Sequence, residues 1–178
     1  MNTTPTRYSS ALVALHWLLA LLLPLALLMG TVFLAATPNS EPEKIGALRA
    51  HMIVGSLIGT LMLVRLIVRW RSAKPAAVSS GSAAMNAFSK FVHGALYLLV
   101  FMMAGSGMGT ALSAGLPDIV FFGVGTLPAN FDAYLPRAVH GLVAKGLMLL
   151  IALHVLGAVM HQFRFKDNLL ARMWFKRG

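Results

Sequence analysis

The chain contains no cysteine. That excludes a disulfide framework, an iron–sulfur cluster and the C-x-x-C-H attachment of a c-type haem. Acid is scarce too, with five Asp and Glu against fifteen Lys and Arg. Charged residues of either sign make up only 11% of the 178 residues, whereas a soluble domain carries about 25%. There is no low-complexity tract and no repeat at a fixed period. The net charge of +10 is spread over a sequence that is 58% hydrophobic. So few charges over so much apolar sequence argue against a nucleic-acid surface.

Long apolar runs fill the space left by charge. They lie at 11–36, 45–68, 88–112 and 138–163, each about 24 to 26 residues where about 20 span a bilayer core. Backbone polar groups in lipid must be satisfied within the segment, so these runs are expected to be transmembrane helices. The predicted fold is an all-α, integral membrane four-helix bundle forming a single domain over 1–178. The first run is too long for the apolar region of a cleaved signal peptide, about 7–15 residues. Pro24, lacking an N–H, is expected to kink the first helix.

Basic residues are distributed unevenly between the two sides. With the N-terminus inside, the inner side carries Arg7, Arg65, Arg69, Arg71, Lys74, Lys90, Arg164, Lys166, Arg172, Lys176 and Arg177 against Asp167 alone. The outer side carries Lys44, Arg49 and Arg137 against Glu41, Glu43, Asp118 and Asp132. The positive-inside rule then puts both termini in the cytoplasm. Trp17, Trp70 and Trp174 fall near the inner boundary, where aromatic belts sit.

All six histidines lie in or at the edges of these runs. Ionisable residues there are costly and point to function. Helix direction sets their depth: His51 and His140 share the outer level, and His16 and His154 the inner. His140 and His154 are 14 residues apart, close to four helical turns, so they face the same way about 21 Å apart along the axis. The arrangement suits two cofactors stacked across the bilayer, each held by one histidine of the fourth helix and one of the first or second. The separation is too great for a single zinc ion. Gly55, one turn after His51, would leave room for a flat macrocycle, as would Gly59. The competing readings are close helix packing at these glycines and interhelical hydrogen bonding by the histidines. In this scheme His93 and His161 have no partner at their level. Each reads as bordering a substrate pocket or as lying among headgroups.

Several segments resemble one family. RYSSALVALHWLLALL, with His16–Trp17, is similar to the first helix of the prokaryotic cytochrome b561 family. The stretch from His51 through Gly55 to VRLIVRW resembles its second, the His140–His154 pair its fourth, and HQFRFKDNLLARM its closing segment. The resemblance implies two b haems, one ligated by His16 and His154 and the other by His51 and His140. It also implies electron exchange with membrane ubiquinone, and superoxide is the outer-side donor in some members. Lys145 departs from the family pattern, and its readings are outward snorkelling or contact with a propionate.

Bis-histidine ligation leaves no open position on iron, which points to electron transfer and not oxygen activation. Arg49 and Arg137 are candidates for outer propionates or for steering an anionic donor, with headgroup contact as the alternative. Arg65, 14 residues after His51, is a candidate for an inner propionate or a quinone oxygen, with snorkelling as the alternative. His161 and Lys166, with Arg164 and Asp167, form a candidate quinone headgroup site, or a positive-inside anchor. The leading function is a stand-alone quinone-linked oxidoreductase in the bacterial inner membrane, monomeric or dimeric. The competitors are a haem-bearing, quinone-reacting anchor of a larger dehydrogenase such as a hydrogenase, and a transporter or structural bundle without haem.

Overall fold

A computed structural model describes residues 5–76, 82–166 and 169–175. Asp167, Lys176 and Arg177 of the basic side lie outside the described residues. Among the described residues four long helices make up the fold and no strand occurs. Helix α1 covers Ser10–Leu28 and runs on through a wider π segment, Met29–Leu34. Helix α2 is Glu43–Arg71, and α3 is Ala83–Ser113. After a π turn at Asp118–Phe122, α4 covers Leu135–Met160 and ends in a second π turn, His161–Phe165. A short α5, Leu169–Arg172, follows.

All four spans are long and apolar enough to cross a membrane. Most outrun the apolar runs by a few residues into polar sequence. Ser9 caps α1 by accepting from the Leu12 N–H, and Ser82 caps α3 by accepting from Met85. Both satisfy N–H groups that the first turn leaves free. Pro136 opens α4, where its missing donor costs nothing. Helix α1 continues through Pro24 to Leu28.

The end carrying the termini and the α2–α3 connection is called proximal here, and the opposite end distal. Backbone packing is closest between α3 and α4, then α1 and α2, then α2 and α3. Helices α1 and α4 are instead separated by an apolar groove of about 330 Å³ that includes Pro24, Leu27, Met148 and Ile151. The interior is a thin apolar layer in which Leu19, Leu27, Ile58, Met62, Val100 and Leu147 meet. The outside is just as apolar, with Leu21, Phe33, Leu98, Leu142 and Phe163 among many exposed large side chains. A water-soluble bundle would show charge there, whereas lipid requires hydrocarbon.

The two ends close differently. Proximally, the Trp17 indole donates to the Met173 carbonyl (2.7 Å) and packs edge-on against Trp174. Distally, the buried Lys44 donates through Nζ to the Leu34 and Thr37 carbonyls, 2.6 Å each. These carbonyls close the first span, where a cation offsets the helix dipole. Arg49 donates through Nε (2.9 Å) and a second guanidinium nitrogen to the Val120 carbonyl, tying α2 to the π turn after α3.

Candidate functional site

The histidines meet in pairs. The His51 and His140 ring centres are 6.2 Å apart at the distal level, with planes at 78°. His16 and His154 are 6.1 Å apart at the proximal level, with planes at 74°. A metal–imidazole bond is about 2 Å, and a ring nitrogen lies about 1 Å from its ring centre, so imidazoles on opposite sides of one metal have centres about 6 Å apart. Both pairs have the spacing that such ligation requires. Among the described residues no group of three or more His, Cys, Asp or Glu is arranged around a bare metal ion.

The distal pair is held ready for a ligand. His140 Nδ1 lies 3.1 Å from the Met103 carbonyl and 3.2 Å from Ser106 Oγ. Ser106 gives its own hydrogen to the Met102 carbonyl (2.7 Å), so its lone pair faces the ring. Both neighbours accept, so Nδ1 carries the hydrogen and Nε2 keeps a free lone pair, the state a metal ligand needs. His51 Nδ1 is buried with no hydrogen-bond partner. Glycine brings the backbone against both rings. A Cβ on Gly107 would lie 3.0 Å from His140 Cε1, and one on Gly30 3.3 Å from His51 Cε1. The π segment of α1 carries Gly30 to this position. Gly55 faces open space, as room for a macrocycle requires, whereas a Cβ on Gly59 would press on Ala104 at 3.3 Å, the signature of helix packing.

The proximal pair sits in different company. Arg65 donates through Nη1 to the Leu12 carbonyl of α1 (2.8 Å). It is half-buried and is a charged neighbour of His16, His93 and His154. It therefore remains inside the bundle and does not snorkel. His93 corrects the expectation that it lacks a partner: its ring centre is 5.2 Å from that of His154. It also lines a cavity of about 390 Å³ with Leu66, Arg69, Lys90, Gly94 and Tyr97.

The remaining sequence candidates are placed as follows. Arg137 lies along its own helix, with Nη1 3.2 Å from the Cβ position of Gly141, and is a charged neighbour of His51 and His140. Arg49 is engaged with Val120 as described. His161 opens the π turn after α4 with its ring 5.2 Å from Phe165, and Lys166 closes that turn in the left-handed region (φ 54°). Lys145 is exposed on the outside of α4.

One regularity links the helices. On each span two of these positions are 14 residues apart: His16 and Gly30, His51 and Arg65, His93 and Gly107, His140 and His154. The proximal level therefore holds His16, Arg65, His93 and His154, and the distal level Gly30, His51, Gly107 and His140. Sequence reasoning found only the α2 and α4 members of this register. The intervals in α1 and α3 were equally visible but each ends on a glycine, which carries no chemistry of its own.

Similarity to known proteins points to one family. The family profile of prokaryotic cytochrome b561 matches residues 7–176. The chain belongs to the prokaryotic cytochrome b561 family. A protein of Escherichia coli K12 named "Cytochrome b561 homolog 2" is 30% identical over 97% of this chain and 93% of its own length. "Probable superoxide oxidase CybB" of Yersinia pestis is 29% identical over 96% and 97% respectively. "Cytochrome b562" of Cereibacter sphaeroides is 29% identical over 93% and 94%. As a b561-family member the chain is a multi-pass membrane cytochrome of the bacterial inner membrane, and the family implies haem b. The paired imidazoles, the free Nε2 of His140 and the open space at Gly55 fit such a group.

Proposed function

We propose that this cytochrome binds two b haems, one between His16 and His154 and one between His51 and His140, and passes electrons from an outer-side donor to membrane quinone. The observation that carries the proposal is the pair of matched spacings, 6.1 and 6.2 Å, at two depths of one bundle. When bound, a bis-histidine haem supplies one-electron transfer with no open coordination site.

The protein's own groups do the rest. Met103 and Ser106 orient the His140 ring, and Arg65 supplies positive charge beside the proximal pair. Leu147, seven residues from each α4 histidine and fully buried, keeps water out of the layer between the levels. Arg137 and Arg49 give the distal end cations that attract a small anionic donor, and superoxide fits by charge and size. The name of the Yersinia pestis relative supports that choice. The excess of basic residues at the proximal end supports cytoplasmic termini and an outer distal end. Quinone reduction belongs at the proximal end, where Arg65, His161 and Lys166 are the candidate contacts. In the overall balance, two superoxide ions each lose one electron to become oxygen, and ubiquinone gains two electrons and two protons.

Haem quantitation with a reduced-minus-oxidised spectrum tests the proposal. Two b haems per chain are expected, reducible by superoxide and oxidised by a ubiquinone analogue. One haem per chain, or reduction only through a co-purifying hydrophilic partner, would refute it. His161→Ala should slow quinone reduction with the haem spectrum intact, and unchanged turnover would remove that residue from the site.

A further inference from the structure

The cavity between α2 and α3 at the proximal end is used by nothing above. Two of its six lining residues, Arg69 and Lys90, are full cations, and among the described residues no carboxylate lines it. The described carboxylates, Glu41, Glu43, Asp118 and Asp132, all lie at the distal end. The Arg69 guanidinium is held over the Tyr97 ring, 6.0 Å from its centre, within cation–π range. Arg65 adds a third positive charge nearby as a charged neighbour of both Arg69 and His93. This concentration of positive charge calls for an oxyanion.

The surroundings decide which kind. Arg69 lies in the last turn of α2 and Lys90 in the second turn of α3, the depth of lipid headgroups. Trp70, beside Arg69, is 76% exposed, as an interfacial anchor would be. Toward the membrane centre the lining gives way to exposed hydrocarbon. Leu63 and Leu98 lie about one turn inward from Leu66 and Gly94. A polar pocket above an apolar slope matches a phosphate on acyl chains, and basic pockets between transmembrane helices bind such headgroups.

We propose that this cavity binds the phosphate of an anionic phospholipid, which thereby sits against His93, itself packed on His154. The same oxyanion chemistry could come from a haem propionate or from free phosphate, so the test separates the three. Haem-loaded protein is placed in nanodiscs of mixed phosphatidylglycerol and phosphatidylcholine, released, and weighed intact by native mass spectrometry. Retained phosphatidylglycerol is expected in preference to phosphatidylcholine. The preference should fall about thirtyfold in the Arg69→Gln/Lys90→Gln double variant, at about 1 kcal/mol of attraction per cation removed. The Arg69→Lys/Lys90→Arg variant should restore much of it and controls for misfolding.

Equal retention of both lipids by the native protein would overturn the proposal. So would a preference unchanged in the double variant. Retention that appears only when the proximal haem is lost, as in His154→Ala, would assign the cavity to propionates. Binding of inorganic phosphate with no phosphatidylglycerol retained would assign it to a free ion.

Discussion

The distal and proximal levels are built on one helical register but filled with opposite materials. At the distal level the positions facing the histidine pair on α1 and α3 are Gly30 and Gly107, whose bare backbones approach the rings closely. At the proximal level the corresponding position on α3 is His93, and α2 contributes Arg65. The distal pair is fixed by hydrogen bonds from one ring to α3, and glycines allow that closeness. The proximal pair is flanked by charge and by a cavity of about 390 Å³. Small residues and fixed acceptors make a rigid socket, whereas cations beside an opening make a place where charge and ligands come and go. On the two-haem reading, the distal level is a relay and the proximal level is where electrons leave the bundle.

The hardest test of that contrast removes a ligand from each level. His140→Ala should abolish the distal haem and leave the proximal one, and His154→Ala should do the reverse. Haem content per chain should drop from two to one in each, and loss of both from a single variant would show that the levels are not independent. Next in size is Gly107→Val. Its Cβ alone would meet His140 at 3.0 Å, and overpacking of this kind costs about 1–3 kcal/mol. Lower distal haem occupancy and a lower melting temperature are expected, while Gly55→Ala, which meets nothing in the protein, should leave the melting temperature of the haem-free protein unchanged. Equal behaviour of the two variants would remove the glycine cradle from the argument.

Arg65→Gln probes the other side. Loss of this charged neighbour of the proximal pair removes about 1–2 kcal/mol of charge interaction, and it should lower the potential of the proximal haem without moving the distal one. A redox titration resolves the two, and a shift confined to the distal haem would break the level assignment. The smallest effect belongs to Ser106→Ala. Met103 still accepts from His140 Nδ1, so the loss should be about 1 kcal/mol or less of distal haem affinity. A loss as large as that of His140→Ala would mean that the hydroxyl, and not the carbonyl, orients the ring.

Much of this was legible without coordinates. A span in lipid must be helical, and helical rise is rigid, so the four apolar runs and the two depths of His140 and His154 follow from counting. The partnership of His93 with His154 was not legible, because depth alone does not say which way a side chain turns around a helix. Nor was the role of Gly30, since it depends on the π segment at Met29–Leu34, and no local pattern in an apolar run marks where a helix widens. Arg65 was expected to reach a propionate, a quinone or the surface. Its bond to Leu12 depends on how α1 crosses α2.

By itself, the sequence determined that the chain spans a membrane as helices, that histidines stand at two depths, and which family it belongs to. Those features depend on composition and on the fixed geometry of one helix at a time. Tertiary structure decided which imidazoles face one another at about 6 Å, which glycines press on them, and that one level is closed while the other opens beside a basic cavity. These depend on the rotation and packing of helices against each other, and in an apolar sequence many packings bury hydrocarbon almost equally well.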